Sequence, residues 1–205
     1  MKTFWKHSHD STSKPSISSQ LDMAVEGSRL LRDFNLLATT SRGNEEDLCS
    51  EIWYLLREMG DEAVQVEKTG ITGLITVKSA LDPFDVIKNL RDVLERRPEE
   101  FRYTLRVIPI ESVVRTDLEE IQRAVTKQAS KIRESETFRV TVEKRFTDLS
   151  SQEIIEAAAS KIERQVGLES PDKIILVEVV GRLTGISVIE PGDIMSVMKE
   201  GFGQR

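Results

Sequence analysis

The sequence predicts a mixed α/β protein built from two small units. Short runs of alternating apolar and polar residues are typical of strands, and they are interleaved with segments whose apolar residues recur at helical spacing. The order of these elements differs between the two halves of the chain, and no repeat of fixed period relates the halves. Because 39% of the 205 residues are hydrophobic, the chain is also long and apolar enough to bury a core.

Residues 1–32 are predicted to form a disordered polar tail. The segment SHDSTSKPSISSQ is rich in Ser, and it has too few apolar residues to offset the entropy lost on ordering. His7 and His9 lie in this tail, and two histidines without a third ligand make a poor metal site.

Residues 33–112 are predicted to follow the order strand, helix, strand, strand, helix, strand. FNLLATT is the first strand, Asn44 is expected to cap the first helix, and Gly60 is expected to end it. The strands EAVQVEK and GLITVKS flank the hairpin turn TGITG. Asp82 and Pro83 begin the second helix, and FRYTLRVIPI is the last strand. This order is that of the split βαβ unit, so we expect a ferredoxin-like βαββαβ domain.

Residues 113–205 are predicted to form a second α/β unit with a different element order. A helix over 118–133 has an apolar stripe, and the strand TFRVTVEKR follows it. Ser150 and Glu153 form a capping box at the start of the next helix. KIILVEVV is nearly all apolar, as expected of a strand covered on both faces, and the strand–helix–strand order implies that it pairs in parallel with TFRVTVEKR. ISVIE and GDIMSVMKEGF are predicted to be a last strand and a short helix.

The sequence contains no motif of a known catalytic or cofactor site. It has no P-loop, no glycine-rich dinucleotide loop, no HExxH, no CxxC and no nucleophile elbow. Both histidines lie in the tail, and the single cysteine, Cys49, is interpreted as a small core residue. We therefore expect a protein that is not an enzyme and that binds no cofactor and no metal.

Basic residues in the second unit are the strongest candidates for ligand binding. They lie on the predicted helix over 118–133, on the strand TFRVTVEKR and in the turn GRLTG: Arg123, Lys127, Lys131, Arg139, Lys144, Arg145 and Arg182. The three on the helix are four residues apart, so they form one stripe opposite the apolar face. Although the chain has a net charge of −6, a local cluster of cations can still bind phosphates. The pattern is compatible both with ordinary solvated charges and with a surface that binds phosphate groups.

These segments resemble a known RNA-binding family. TFRVTVEKR, LSSQEIIEAAASKI and DKIILVEVVGRLTGISVIEP resemble the first strand, the following helix and the last two strands of the THUMP domain, a module of tRNA-modifying enzymes. LRVIPIESVVRTDLEEI resembles the junction between that domain and the ferredoxin-like domain that usually precedes it. The resemblance extends over roughly 34–200, so the expected architecture is a ferredoxin-like domain followed by a THUMP-like α/β domain.

The resemblance implies a tRNA-binding adaptor without catalysis of its own. No catalytic domain follows in this sequence, which is therefore similar to the adaptors that present tRNA to a separate cytidine acetyltransferase or another RNA-modifying enzyme. In that family the domain pair binds the acceptor arm and its 3′ end, and the partner supplies the acetyl-CoA chemistry. The family's basic strand end matches Lys144 and Arg145, and its turn matches Arg182 and Thr184. A cytoplasmic location without membrane contact is expected.

Two other functions are compatible with the sequence. The loop TTSRGNEE offers Arg42 and Asn44 at a helix start, where an anion could bind, so the first unit could be a small anion-binding enzyme. Arg42 is also a candidate RNA contact. A protein-interaction module is the third possibility, with Met195, Val197 and Met198 docking a partner.

Overall fold

A computed structural model describes residues 32–200, and almost all of the predicted tail lies outside the described residues. Ten strands and five helices are present in this part of the chain. The strands are β1 Leu36–Thr39, β2 Gln65–Lys68, β3 Leu74–Lys78, β4 Arg106–Pro109, β5 Ser112–Arg115, β6 Thr137–Arg145, β7 Gln165–Val166, β8 Lys173–Val180, β9 Leu183–Ile189 and β10 Met195–Ser196. The helices are α1 Glu45–Glu58, α2 Pro83–Arg96, α3 Leu118–Gln128, α4 Ser151–Ala159 and α5 Val197–Glu200.

The first sheet has the strand order β10-β4-β1-β3-β2, and every pair in it is antiparallel. Its four longer strands and the helices α1 and α2 follow the βαββαβ order that the sequence predicts. Both helices cover one face of the sheet, where their apolar stripes meet strand residues such as Leu36 and Val77 in one buried cluster. The mixed α/β class is therefore confirmed in this half of the chain.

The helix ends explain where the chain changes direction. The Asp82 side chain accepts hydrogen bonds from the Phe84 and Asp85 N–H groups at 2.9 and 3.2 Å, which caps α2 as predicted. The capping box of α4 also forms, with Ser150 and Glu153 bonding to each other's backbone N–H groups. Asn44, however, makes no side-chain capping bond, because its backbone angles (φ −103°, ψ 17°) are not the extended ones a cap needs.

The second sheet has the strand order β5-β9-β8-β6-β7. β6 and β8 pair in parallel over eight residue pairs, as the strand–helix–strand order predicted, whereas β8 and β9 form an antiparallel hairpin. The helices α3 and α4 cover one face, with Ile121, Val125 and Ile154 packed against Ile175 and Val177 of β8.

The two sheets face each other across a shared apolar layer. Phe34, Leu37 and Ile108 of the first sheet belong to the same buried cluster as Leu176 and Val180 of β8. A side chain at Gly185 of β9 would lie only 2.9 Å from Ile110, so the close approach of the sheets requires glycine there. The chain is thus layered helix, sheet, sheet, helix, and β8 is covered on both faces as its apolar run predicted.

Three short strands were not predicted, and two of them change which residues pack together. β5 joins the edge of the second sheet next to β9, whereas β10 returns to pair with β4 in the first sheet. Met195 and Val197 are consequently buried in the first core, and Met198 alone of the three proposed docking residues is exposed. The predicted boundary at 112/113 places residues 195–200 in the second unit, but in the structure they pack on the first sheet.

Candidate RNA-binding edge of the second sheet

Four cations lie along one edge of the second sheet, where β6, β8 and β5 end. We call this set the basic edge: Lys144 and Arg145 at the end of β6, Arg182 in the turn after β8, and Arg115 at the end of β5. Because β6 and β8 are parallel, their carboxyl ends meet at the same edge. The Gly181 N–H donates to the Arg145 carbonyl oxygen at 2.9 Å, which fixes the turn beside the exit of β6.

Arg182 lies at the tip of a two-residue hairpin turn between β8 and β9. Gly181 has φ +62°, a conformation that such turns need and that glycine adopts without strain. The Arg182 carbonyl oxygen accepts from the Thr116 N–H at 2.9 Å, and its side chain is exposed. The turn therefore holds one cation in solvent between the ends of β5 and β6.

Lys144 and Arg145 are adjacent in sequence but point to opposite faces of the sheet, as neighbouring strand residues do. The Lys144 ammonium donates to the Leu149 carbonyl oxygen at 2.8 Å and is exposed next to the loop before α4. Arg145 turns toward the other sheet, and its guanidinium donates to the Glu178 carboxylate at 2.8 Å. The two cations therefore do not form a single patch.

Glu178 is a buried acid on the face of β8 that meets the first sheet. Its side chain has no exposed surface, and its Oε1 atom has no hydrogen-bond partner, whereas Oε2 accepts from Arg145. Burial raises the pKa of the Glu178 carboxyl above its ordinary value, and the hydrogen bond from Arg145 opposes that rise. Arg145 is thus occupied in compensating a buried carboxylate, and its own side chain is 24% exposed.

Arg115 is a further cation of the edge, and it lies on a strand that the sequence did not predict. Its guanidinium contacts the Glu120 carboxylate with N–O distances of 2.6 and 3.0 Å. The hydrogen bond from Arg115 lowers the pKa of Glu120, so the carboxylate is charged near neutral pH. Arg115 is therefore paired with a carboxylate, whereas Lys144 donates to a backbone carbonyl and Arg182 is exposed in its turn.

The basic stripe on α3 lies along a groove against the edge strand β5. The groove has a volume of about 710 Å³ and is lined by Glu111, Ser112, Val114, Glu120, Arg123, Ala124, Lys127, Gln128 and Lys131. Arg123 and Lys127 are exposed on the α-helix, whereas Lys131 lies in a following turn of 3-10 helix and forms an ion pair with Glu111. The groove is therefore positive along α3 and carries an acid near each end.

Two predicted contacts do not belong to this surface. Thr184 is fully buried, and its hydroxyl lies 2.9 Å from that of Thr116, so its side chain is not available to RNA. Thr184 is buried because its side chain lies on the face of β9 that the helices cover. Arg139 lies at the other end of β6, about 20 Å from Arg145 at the usual rise per residue, and it donates to the Leu168 carbonyl oxygen at 3.0 Å.

The loop before α1 differs from the anion site that its sequence suggested. The Glu45 carboxylate accepts from the Gly73 and Gly43 N–H groups at 2.6 and 3.3 Å, so the chain's own acid occupies the donors that would hold an anion. These bonds lower the pKa of Glu45, with the Gly73 bond contributing most. Arg42 is exposed in this loop, but the Gly43 N–H next to it is already bonded to Glu45.

Cys49 is half-buried and packs against the first core, as the sequence suggested. Burial raises the pKa of its thiol to about 11, so little of it is thiolate near neutral pH. Within residues 32–200 no group of three His, Cys, Asp or Glu side chains is arranged to hold a metal. In the same range no helix is long and apolar enough to cross a membrane.

Phe146 is the residue of this region that sequence reasoning missed most clearly. It follows Arg145 directly, its side chain is 54% exposed, and its backbone has φ +55°. Between residues 32 and 200 it is the only non-glycine residue with a positive φ. An aromatic residue next to two cations in KRF was a signal in the sequence, but its exposure and conformation were not.

The chain is similar in structure to several solved proteins, and no curated protein sequence matches it significantly. The crystal structure of PH1313 from Pyrococcus horikoshii OT3 matches 77% of this chain and 55% of its own, with a TM-score of 0.56 and 20% identity. TrmN from Thermus thermophilus matches 75% and 44%, with a TM-score of 0.47 and 16% identity. A 4-thiouridine synthetase, solved with RNA and bound ATP, matches 77% and 42%, with a TM-score of 0.44 and 18% identity.

The chain spans about half the length of these solved proteins, and at such identities the likeness concerns the fold. The synthetase among them is an enzyme, which contradicts the expectation of a protein without catalysis, so that expectation is wrong. Residues 115–189 match the THUMP domain family, and they run from the end of β5 through β9. THUMP domains are RNA-binding modules, and the match concerns these residues of the chain.

Proposed function

We propose that the chain binds the acceptor arm of tRNA through its basic edge and presents it to an RNA-modifying catalytic unit. The observation that carries this proposal is the convergence of Lys144 and Arg182 at one edge of the THUMP domain. Both side chains are exposed, and contacts from lysine and arginine to phosphates fix the position of a protein on nucleic acid.

The exposed cations of α3 extend this surface in our proposal. Arg123 lies one turn from Glu120, whose carboxylate contacts Arg115, so the α3 groove begins next to the basic edge. Arg123 donates to the backbone carbonyl of Glu119 at 3.3 Å, and Lys127 follows one turn later. An RNA backbone that crosses the edge would continue along this groove.

A cytidine acetyltransferase is the catalytic partner that we propose, on the basis of the sequence resemblance to tRNA-acetylation adaptors. We place the complex in the cytoplasm, and the free thiol of Cys49 is compatible with a reducing compartment. Affinity purification of the full chain from native extract should recover tRNA together with an acetyltransferase. Recovery of tRNA with a different modifying enzyme would contradict the choice of partner but not the binding surface.

Loss of Lys144 and Arg182 should weaken tRNA binding and reduce its salt dependence. We expect Lys144→Ala with Arg182→Ala to lower affinity about tenfold, which corresponds to about 1.4 kcal/mol. The slope of log affinity against log salt should become shallower by about two, because each lost phosphate contact removes about one. Fluorescence anisotropy with whole tRNA over a salt series measures both quantities.

The matched control removes two cations from the first unit. Lys88 and Arg96 are exposed on α2, and Arg96 donates to a backbone carbonyl much as Lys144 does. Lys88→Ala with Arg96→Ala changes the net charge equally, so it should leave the salt slope within about 0.5 of the parent. Equal effects of the two double variants would contradict the proposed surface.

An acceptor-arm hairpin should compete with whole tRNA, and an anticodon-arm hairpin should not.

A further inference from the structure

Phe146 has an unusual combination of exposure and backbone conformation. More than half of its side-chain surface is in solvent, although phenylalanine usually gains stability by burial. Its φ of +55° is a left-handed conformation in which a β-carbon crowds the backbone, and bulky residues rarely adopt it. Neither its packing nor its backbone therefore explains why a large aromatic residue stands here.

The surroundings of Phe146 are those of the basic edge. It follows Lys144 and Arg145, and the Gly181 N–H bonds to the Arg145 carbonyl, which brings the Arg182 turn beside the same strand exit. Two acids, Glu143 and Asp148, are also exposed in this stretch. Because the local charge is mixed, attraction to phosphate alone would distinguish one RNA from another only weakly. An aromatic side chain would add selectivity for the nucleobase.

We propose that Phe146 stacks on an unpaired nucleobase of RNA whose phosphates contact the basic edge. This inference rests on the proposed function. The face of an aromatic ring attracts any nucleobase, but a base inside a duplex has both faces covered by its neighbours. Phe146 would therefore distinguish RNA with an accessible single-stranded nucleotide from a blunt helix, and the cations would hold both kinds by their phosphates.

A protein partner is the less favoured ligand for this residue. Protein-binding patches are built around contiguous apolar surface, whereas Phe146 is exposed among charged residues on both sides of the sequence. A backbone hydrogen bond between Gly181 and Arg145 holds the strand exit immediately before Phe146. An exposed aromatic ring beside cations suits base stacking next to a phosphate.

The test compares three hairpin RNAs that share one stem and differ in a short unpaired overhang on the 3′ strand, on the 5′ strand, or on neither. Phe146→Ala should bind at least one overhang RNA about tenfold more weakly than the parent, because a stacked base contributes on this scale. Its affinity for the blunt hairpin and its salt slope should stay unchanged, since no charge is lost. Phe146→Trp should retain the preference for the overhang.

A structural role for Phe146 would produce a different result. Asparagine tolerates a positive φ, so Phe146→Asn should unfold at the same or a higher temperature than the parent while losing the overhang preference. A lower unfolding temperature with unchanged overhang binding would overturn the inference. So would Phe146→Ala binding all three hairpins as the parent does. Failure of the unmodified chain to bind whole tRNA would instead overturn the proposed function itself.

Discussion

Two strand-to-helix connections of this protein differ in how their charged side chains are paired. In the loop between β1 and α1, the Glu45 carboxylate fills the backbone N–H donors of Gly43 and Gly73. At the end of β6, before the loop to α4, Lys144 is exposed and donates to the Leu149 carbonyl oxygen. An acid of the chain thus occupies backbone donors at the first connection, whereas a cation is exposed at the second.

A second internal acid occupies backbone donors in the first unit. The Glu51 carboxylate of α1 accepts from three consecutive N–H groups, those of Arg102, Tyr103 and Thr104, at 2.9–3.0 Å. A row of N–H groups of this kind is a ready anion site, and here an internal acid occupies it. The comparison teaches that an anion-binding motif indicates a ligand site only when no neighbouring carboxylate reaches it.

The Arg145–Glu178 pair tests whether the basic edge depends on a buried acid for its structure. Arg145→Ala should lower the free energy of unfolding by about 3 kcal/mol, because it leaves the buried Glu178 carboxylate uncompensated. Urea denaturation measures this loss. The double variant Arg145→Ala with Glu178→Gln should recover most of it, and a double variant as unstable as the single one would show that the pair is not the cause.

The pH dependence of this pair has a defined sign. The pKa of Glu178 is raised in the folded protein, so the stability it contributes is present below its unfolded pKa and is lost as the pH rises through the folded value. The stability of Glu178→Gln relative to the parent should therefore increase as the pH rises from 4. The cost of Arg145→Ala should shrink at acidic pH, where Glu178 is protonated. A pH-independent difference would contradict the burial of the charge.

The Glu51 site tests the closed side of the comparison. Glu51→Ala should lower the free energy of unfolding by about 2 kcal/mol, since hydrogen bonds to a charged group are lost from Thr104 and its neighbours. Thermal unfolding with added sulfate measures the effect, because an external anion should partly restore the variant. Glu95→Ala, an exposed acid on α2, is the control and should change stability by less than about 0.5 kcal/mol. A loss no larger than this control would argue against the role of Glu51.

The smallest expected effect separates structure from binding at the edge itself. Thr184→Val keeps the shape of the side chain but removes a buried hydroxyl that contacts Thr116, so it should cost about 1 kcal/mol of stability. Its tRNA affinity should equal that of the parent, because the side chain has no exposed surface. Weaker binding by a folded Thr184→Val protein would restore Thr184 as an RNA contact.

Local patterns in the sequence predicted most of the framework. The caps at Asp82 and Ser150 depend on residues only two or three positions away, so their side chains meet the backbone whatever the rest of the chain does. The apolar run of β8 likewise required cover on both faces. The cations at the ends of β6 and β8 were predicted to lie together, and the parallel pairing of these strands confirms the shared edge.

The tertiary structure alone decided which of these residues are available. β10 contains two residues, too few for a periodic signal, and both β5 and β10 are placed by pairing with strands that are distant in the sequence. Glu45, Glu178 and Thr184 contact groups that are 28 to 68 positions away in sequence. Short-range spacing thus determined the helices and strands and the positions of their charged residues. Whether a given side chain is buried or its charge is paired depends on residues distant in the sequence, which only the folded chain brings into contact.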